Sequence, residues 1–201
     1  MDHAKIRKEE LFMEIKGGKG YTIADIEALP DGERAELIDG ELFMMAPPMT
    51  VHQRILVKLI LQIGSYIEKN KGDCELLPAP FGVYIKKDDR NYVEPDISVI
   101  CHGDRLDEKG CHGAPDLVIE IVSPSSRKMD YVRKPALYQE TGVREYWIVD
   151  PKKEIVTVYT AERWDIPICH PFTERIQVGI YGDLYLEFTE FIQGERMAAK
   201  R

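Results

Sequence analysis

Apolar residues recur along this chain at two spacings, and the change from one to the other separates helices from strands. From about Val51 to Asn70, Ile55, Leu59, Ile63 and Ile67 fall four residues apart, with Leu56, Ile60 and Tyr66 widening the stripe, which predicts a long amphipathic helix. The runs that follow are short and rich in β-branched and aromatic residues: "CELLPAPFGVYIK", "EPDISVIC", "DLVIEIVSP", "EYWIVD" and "EIVTVYT" read as strands. "RKMDYVRKPALYQETG", between the third and fourth, is long enough for a crossover helix capped by Gly142. Nearer the start, "YTIADIEALPDG" predicts a short helix from an N-cap at Thr22 through about Leu29, stopped by Pro30. In "AELIDGELFMM", Asp39-Gly40 between two apolar runs predicts a two-residue hairpin, with Glu36, Ile38, Glu41 and Phe43 on one face. The first 16 residues alternate charges around Ile6, Leu11, Phe12 and Ile15, a surface helix or arm ending at "GGKG". The chain therefore divides into an N-terminal helix or arm over 1–20 and a single domain over 21–201. Its class is α/β (α+β), a central mixed β-sheet flanked by helices.

Composition narrows the partners. With 201 residues, 44% of them hydrophobic and 31% charged, the chain supports one sizeable core. Its net charge of -8 gives an overall field that does not attract nucleic acid or an anionic membrane. A polyanion would need a local basic patch, for which Arg54, Lys58, Lys86, Lys87, Arg90, Arg127, Lys128 and Arg133 are the candidates. No apolar run approaches the ~20 residues of a membrane span, and the N-terminus lacks the apolar stretch of a signal peptide, so a cytoplasmic location is expected. Cys74, Cys101, Cys111 and Cys169 are widely spaced without a CxxC pair, and we read them as reduced. Cys101, His102, Cys111 and His112 offer four zinc ligands on paper. Adjacent residues of extended chain point apart, however, and the spacing fits no common zinc module, so zinc is the weaker reading there.

The chemistry concentrates on a carboxylate in the wrong place. "DLVIEIV" is the most apolar strand and so is expected to be central, yet Glu120 stands in its middle. An unpaired ionised carboxylate there would cost several kcal/mol, so it must be neutralised, paired or bound to a cation. In "EPDISVIC", Asp96, Ser98 and Ile100 share one face, which sets Asp96 near the start of a strand expected to adjoin that of Glu120. Two such carboxylates make half of a Mg²⁺ site, to which the Ile121 carbonyl adds an oxygen. The competing reading makes Asp96 a loop cap and pairs Glu120 with Arg127 or Lys134. On the crossover helix Asp130, Lys134 and Tyr138 fall at i, i+4 and i+8, facing the sheet end together, although Pro135 sets Lys134 at a kink or N-cap. Tyr146 and Trp147 are expected in the core or at a subunit interface.

The run "PDISV…GAPDLVIEIVSPSSRKMDYVRKPALYQETGVREYWIVDP", preceded by "YTIADIEALPDGERAELIDGEL", resembles the Uma2 (DUF820) family of the PD-(D/E)XK restriction-endonuclease-like superfamily over about residues 21 to 160. The resemblance implies a restriction-endonuclease-like core and a Mg²⁺- or Mn²⁺-dependent endonuclease acting on nucleic acid, DNA first. It aligns Pro95-Asp96 with the PD element and Glu120 with the next acidic residue, making Asp96, Glu120 and Lys134 the catalytic group. Asp96, Glu120 and the Ile121 carbonyl become the metal ligands, and Glu36, His52 and Asp130 the supporting residues. One departure stands out: Val122 occupies the position of the superfamily's lysine, so Lys134 would have to reach the site from the following helix. His52, at the start of the long helix, has capping or packing as its ordinary role. The apparent exposure of aromatics in "REYWIVDP" and "IYGDLYLEF" suggests a homodimer. Two other readings stay open, a nuclease-fold nucleic-acid-binding protein with weak or no turnover and a homodimeric interaction protein.

Overall fold

The computed structural model of the protein describes residues 20–192, so the expected N-terminal helix or arm lies outside the described residues apart from Gly20. Thr22 caps α1 (Ile23–Glu27), its backbone N–H donating to the Asp25 carboxylate at 2.8 Å. The helix is shorter than its pattern suggested, ending before Pro30. β1 (Ala35–Ile38) and β2 (Glu41–Met44) form the expected hairpin, with Glu36 opposite Phe43 and Ile38 opposite Glu41. Asp39 and Gly40 turn the chain with φ of 51° and 79°, the left-handed pair that such a two-residue turn requires. α2 (Thr50–Asn70) then runs for 21 residues and buries Ile55, Leu56, Leu59 and Ile63.

The central sheet follows. β3 (Glu75–Pro78), β5 (Ile97–Ile100), β7 (Leu117–Ile121), β8 (Glu145–Asp150), β9 (Ile155–Thr160) and β10 (Ile168–Pro171) form six strands in the order β10-β9-β8-β7-β5-β3. Within this sheet only β7 and β8 pair in parallel, and the residues between them supply the crossover: a π-helical turn (Met129–Arg133) leading into α3 (Lys134–Thr141). Gly142 ends α3 at φ 84°, as its position predicts. The single strand expected over "CELLPAPFGVYIK" is broken after Pro78, and Val83–Tyr84 instead forms β4, paired with β6 (Cys111–His112) beside the main sheet. β11 (Ile176–Gln177) and β12 (Tyr185–Leu186) form a small hairpin over the face that α2 covers.

β7 shows how the two sides divide. Leu117, Ile119 and Ile121 pack with Ile55, Leu59 and Trp147 on the α2 side, whereas Val118 and Val122 pack with Leu137, Tyr138 and Tyr146 on the α3 side. Period-2 alternation puts Glu120 on that second side.

Two expectations are corrected. Cys74 and Cys101 form a disulfide, because the antiparallel register that sets Glu75 opposite Ile100 makes them the next facing pair, 3.9 Å apart at Cα. Cys111 and Cys169 are free thiols. Tyr146, Trp147 and Phe188 are fully buried, so most of the aromatics that suggested a dimer belong to the core, although Tyr185 is exposed. Four of the eight candidates for a basic patch are paired with acids: Lys86 bonds Glu140 and Arg133 bonds Glu41, while Lys58 bonds Glu190 and Arg127 bonds Asp150. Among the described residues no helix is long and apolar enough to cross a membrane.

Candidate metal and catalytic site

The site forms where β5 and β7 meet the start of the crossover helix. Ile97 pairs with Ile119, so Asp96, one step before β5, stands across from Glu120 on the same side of the sheet. Asp96 is fixed through one oxygen: its Oδ2 accepts the Ile121 N–H at 2.7 Å and meets His52 Nε2 at 3.0 Å. Glu120 is likewise held on one side, where Oε1 accepts Lys134 Nζ at 2.7 Å and the Tyr138 hydroxyl at 2.9 Å. Among the described residues the hydrogen bonds of both carboxylates thus fall on Oδ2 and Oε1, and none reaches Asp96 Oδ1 or Glu120 Oε2.

Lys134 is the hub. Pro135 removes no needed bond at the second position of α3, and the π-helical turn before it lets Asp130, Lys134 and Tyr138 all lie buried toward Glu120. The ammonium lies 2.9 Å from Glu36 Oε1 and 3.8 Å from Asp130 Oδ1. Glu36 also accepts the Glu94 N–H at 3.0 Å, and Asp130 Oδ2 accepts the Ser126 hydroxyl at 2.6 Å. Asp130 Oδ1 is buried without a hydrogen-bond partner.

Three buried carboxylates around one ammonium leave negative charge in excess. Burial, together with Asp130, Glu36 and Asp96, pushes Glu120 well above the usual carboxylate range against the pull of Lys134. Burial likewise raises Asp130 to about 6. Burial works against the charge on Lys134, but Glu120, Glu36 and Asp130 outweigh it and hold the ammonium firmly protonated.

Glu36, His52, Asp96, Glu120, Ile121 and Lys134 line one cavity of about 340 Å³. The sequence did not single out Ser123, Ser125 and Ser126, nor the Arg34–Glu94 pair, all of which also line it. The run of hydroxyls immediately after the Glu120 strand was the available signal. Of the two partners weighed for Glu120, Arg127 goes instead to Asp150, at 2.6 and 3.0 Å.

The donors suit a hard divalent cation. Among the described residues no three His, Cys, Asp or Glu side chains are placed to hold a metal ion together, and Cys101, one of the four zinc candidates, is taken by its disulfide. Mg²⁺ asks for less: one or two carboxylate oxygens and several waters. Asp96 and Glu120, on facing positions of the cavity wall, are the carboxylates that would supply those oxygens, and a bound cation would offset the excess negative charge. The Ile121 carbonyl lies on the strand edge of its N–H, which faces Asp96.

The model of the Uma2 family, described as "Putative restriction endonuclease", matches residues 23–186. A protein of Synechocystis sp., "Uncharacterized protein slr1290", is 29% identical over 130 residues, 63% of this chain and 66% of that relative's length. The crystal structure of "a putative nuclease belonging to DUF820" from Anabaena variabilis superposes with a TM-score of 0.69 over 85% of this chain and 96% of that one. At 21% identity that likeness establishes a shared fold.

Proposed function

The chain belongs to the Uma2 family, and from that premise we propose that it is a divalent-metal-dependent endonuclease hydrolysing phosphodiester bonds of nucleic acid, DNA first. The observation that carries the reading is the pair of half-committed carboxylates, Asp96 and Glu120, set opposite each other on one cavity wall. Bound there with the help of the Ile121 carbonyl, Mg²⁺ or Mn²⁺ would polarise the phosphate and acidify a water. The protein's own groups do the rest. His52 and the Ile121 N–H hold Asp96 from one side, so that its free oxygen keeps its direction. Tyr138 and Lys134 hold Glu120 in the same way, and Glu36 and Asp130 anchor Lys134. Lys134, already turned to the cavity, places a fixed positive charge beside the phosphate as negative charge develops there. It thus takes up the role vacated by Val122. A homodimer would present two such sites to the two strands of a duplex.

A second reading has its own support. The direct Lys134–Glu120 bond is what a structural ion pair would also show, leaving a nuclease-fold protein that binds nucleic acid without turnover. Cleavage of single- and double-stranded DNA in Mn²⁺ by wild type and Glu120→Gln separates the two. Loss of wild-type cleavage in the variant supports catalysis. Equal cleavage by both, or by neither, rejects it.

A further inference from the structure

A second cavity of about 610 Å³ abuts the first, and His52 and Ser123 belong to the walls of both. Its chemistry differs. Met49, Val51, Val122, Pro124, Pro151 and Phe191 give it apolar walls, and the cationic side chains of Arg127 and Lys152 border it. Arg127 is fixed by its two bonds to Asp150, so its guanidinium stands at a set position, whereas Lys152 is exposed. An apolar chamber with cations at its border, joined to a phosphodiester site, matches a nucleotide: a flat ring system to bury and a phosphate to meet the charge.

Resting on the reading above, we propose that this second cavity takes the base of the nucleotide next to the scissile phosphate, with Lys152 facing that nucleotide's own phosphate, since the Arg127 guanidinium is already engaged by Asp150. Because His52 and Ser123 line both cavities, the occupant proposed is the neighbouring nucleotide of the chain being cut. A base can enter such a chamber only when it is free of its complementary strand, so the substrate is single-stranded or flipped out at the cut. This also explains how a protein of net charge -8 would hold DNA: one buried base replaces part of the long electrostatic footprint.

The test is equilibrium binding of labelled oligonucleotides to the full chain, with Ca²⁺ as a hard cation of looser geometry in place of Mg²⁺. The probes are a single strand, its duplex, and single strands with one abasic nucleotide moved along the sequence. The proposal expects the single strand to bind more tightly than the duplex. It expects one abasic position to weaken binding about tenfold, as losing one stacked base does, and Lys152→Glu to weaken binding of every strand. If oligonucleotides bind but no abasic position matters and the duplex binds equally, the base chamber is wrong while the nuclease reading stands. If none binds, both fail.

Discussion

Two buried glutamates on neighbouring parallel strands have opposite surroundings. Glu145 of β8 accepts the Gly179 N–H at 2.9 Å and the Trp147 indole N–H at 2.6 Å on Oε1, and the Ile180 N–H at 2.9 Å on Oε2. Both its oxygens are satisfied, by neutral donors. Glu120 of β7 receives an ammonium and a phenol on one oxygen only and turns the other to a cavity. The first carboxylate joins β8 to the 179–180 segment, and the second lines the cavity for which a cation is proposed. Burial raises the pKa of both, so depth alone does not distinguish a structural acid from a site acid. The distribution of donors over the two oxygens does.

The sharpest way to break the contrast is to remove each acid. Glu145→Ala strands three donors, two of them backbone, and is expected to cost about 3 to 5 kcal/mol in urea unfolding. Glu120→Gln is expected to change stability by no more than about 1 kcal/mol, because Lys134 keeps Glu36 and Asp130 as partners. Similar losses for both would erase the distinction.

Acid titration sharpens it further. Asp130 has a folded pKa of about 6, above its ordinary 3.8. A raised carboxylate stabilises the fold fully below the ordinary value and loses that contribution as pH rises through the folded value. Lowering the pH from 7 towards 4 should therefore gain stability in the wild type, and Asp130→Asn should flatten that slope. An unchanged slope would mean the cluster carries no excess negative charge.

The smallest expected effect lies at the edge of the site. His52→Ala leaves Asp96 its bond from the Ile121 N–H, so the fold should persist. Divalent affinity should fall roughly 10- to 100-fold, the usual cost of losing a residue that orients a ligand. Calorimetric Mn²⁺ titration reads it directly.

These contrasts also show what the sequence made legible. Four-residue spacing gave α2 and Asp39-Gly40 gave the β1–β2 turn, both local rules, whereas the shared side of Asp96 and Glu120 was expected from strand alternation together with the family resemblance. The Cys74–Cys101 bond was not legible, because it depends on the β3–β5 register. Nor was the role of Glu145, whose backbone donors lie 34 and 35 residues downstream. The basic residues also escaped prediction, since the acids that take them come from distant elements, as Glu140 takes Lys86 and Glu190 takes Lys58. Lys134 lay between these cases: its helical spacing to Asp130 and Tyr138 was readable, but its bond to Glu36 spans 98 residues.

The central claim is that Glu120 and Asp96 keep their second oxygens for one divalent cation. Calorimetric titration of metal-free protein with Mn²⁺ tests it most directly, on wild type, Glu120→Gln and Asp96→Asn, with unfolding curves to show that each variant is folded. The account predicts one Mn²⁺ per wild-type chain and at least a tenfold loss of affinity in each variant. Folded variants that bind Mn²⁺ as tightly as wild type, or a wild type that binds none, would contradict it.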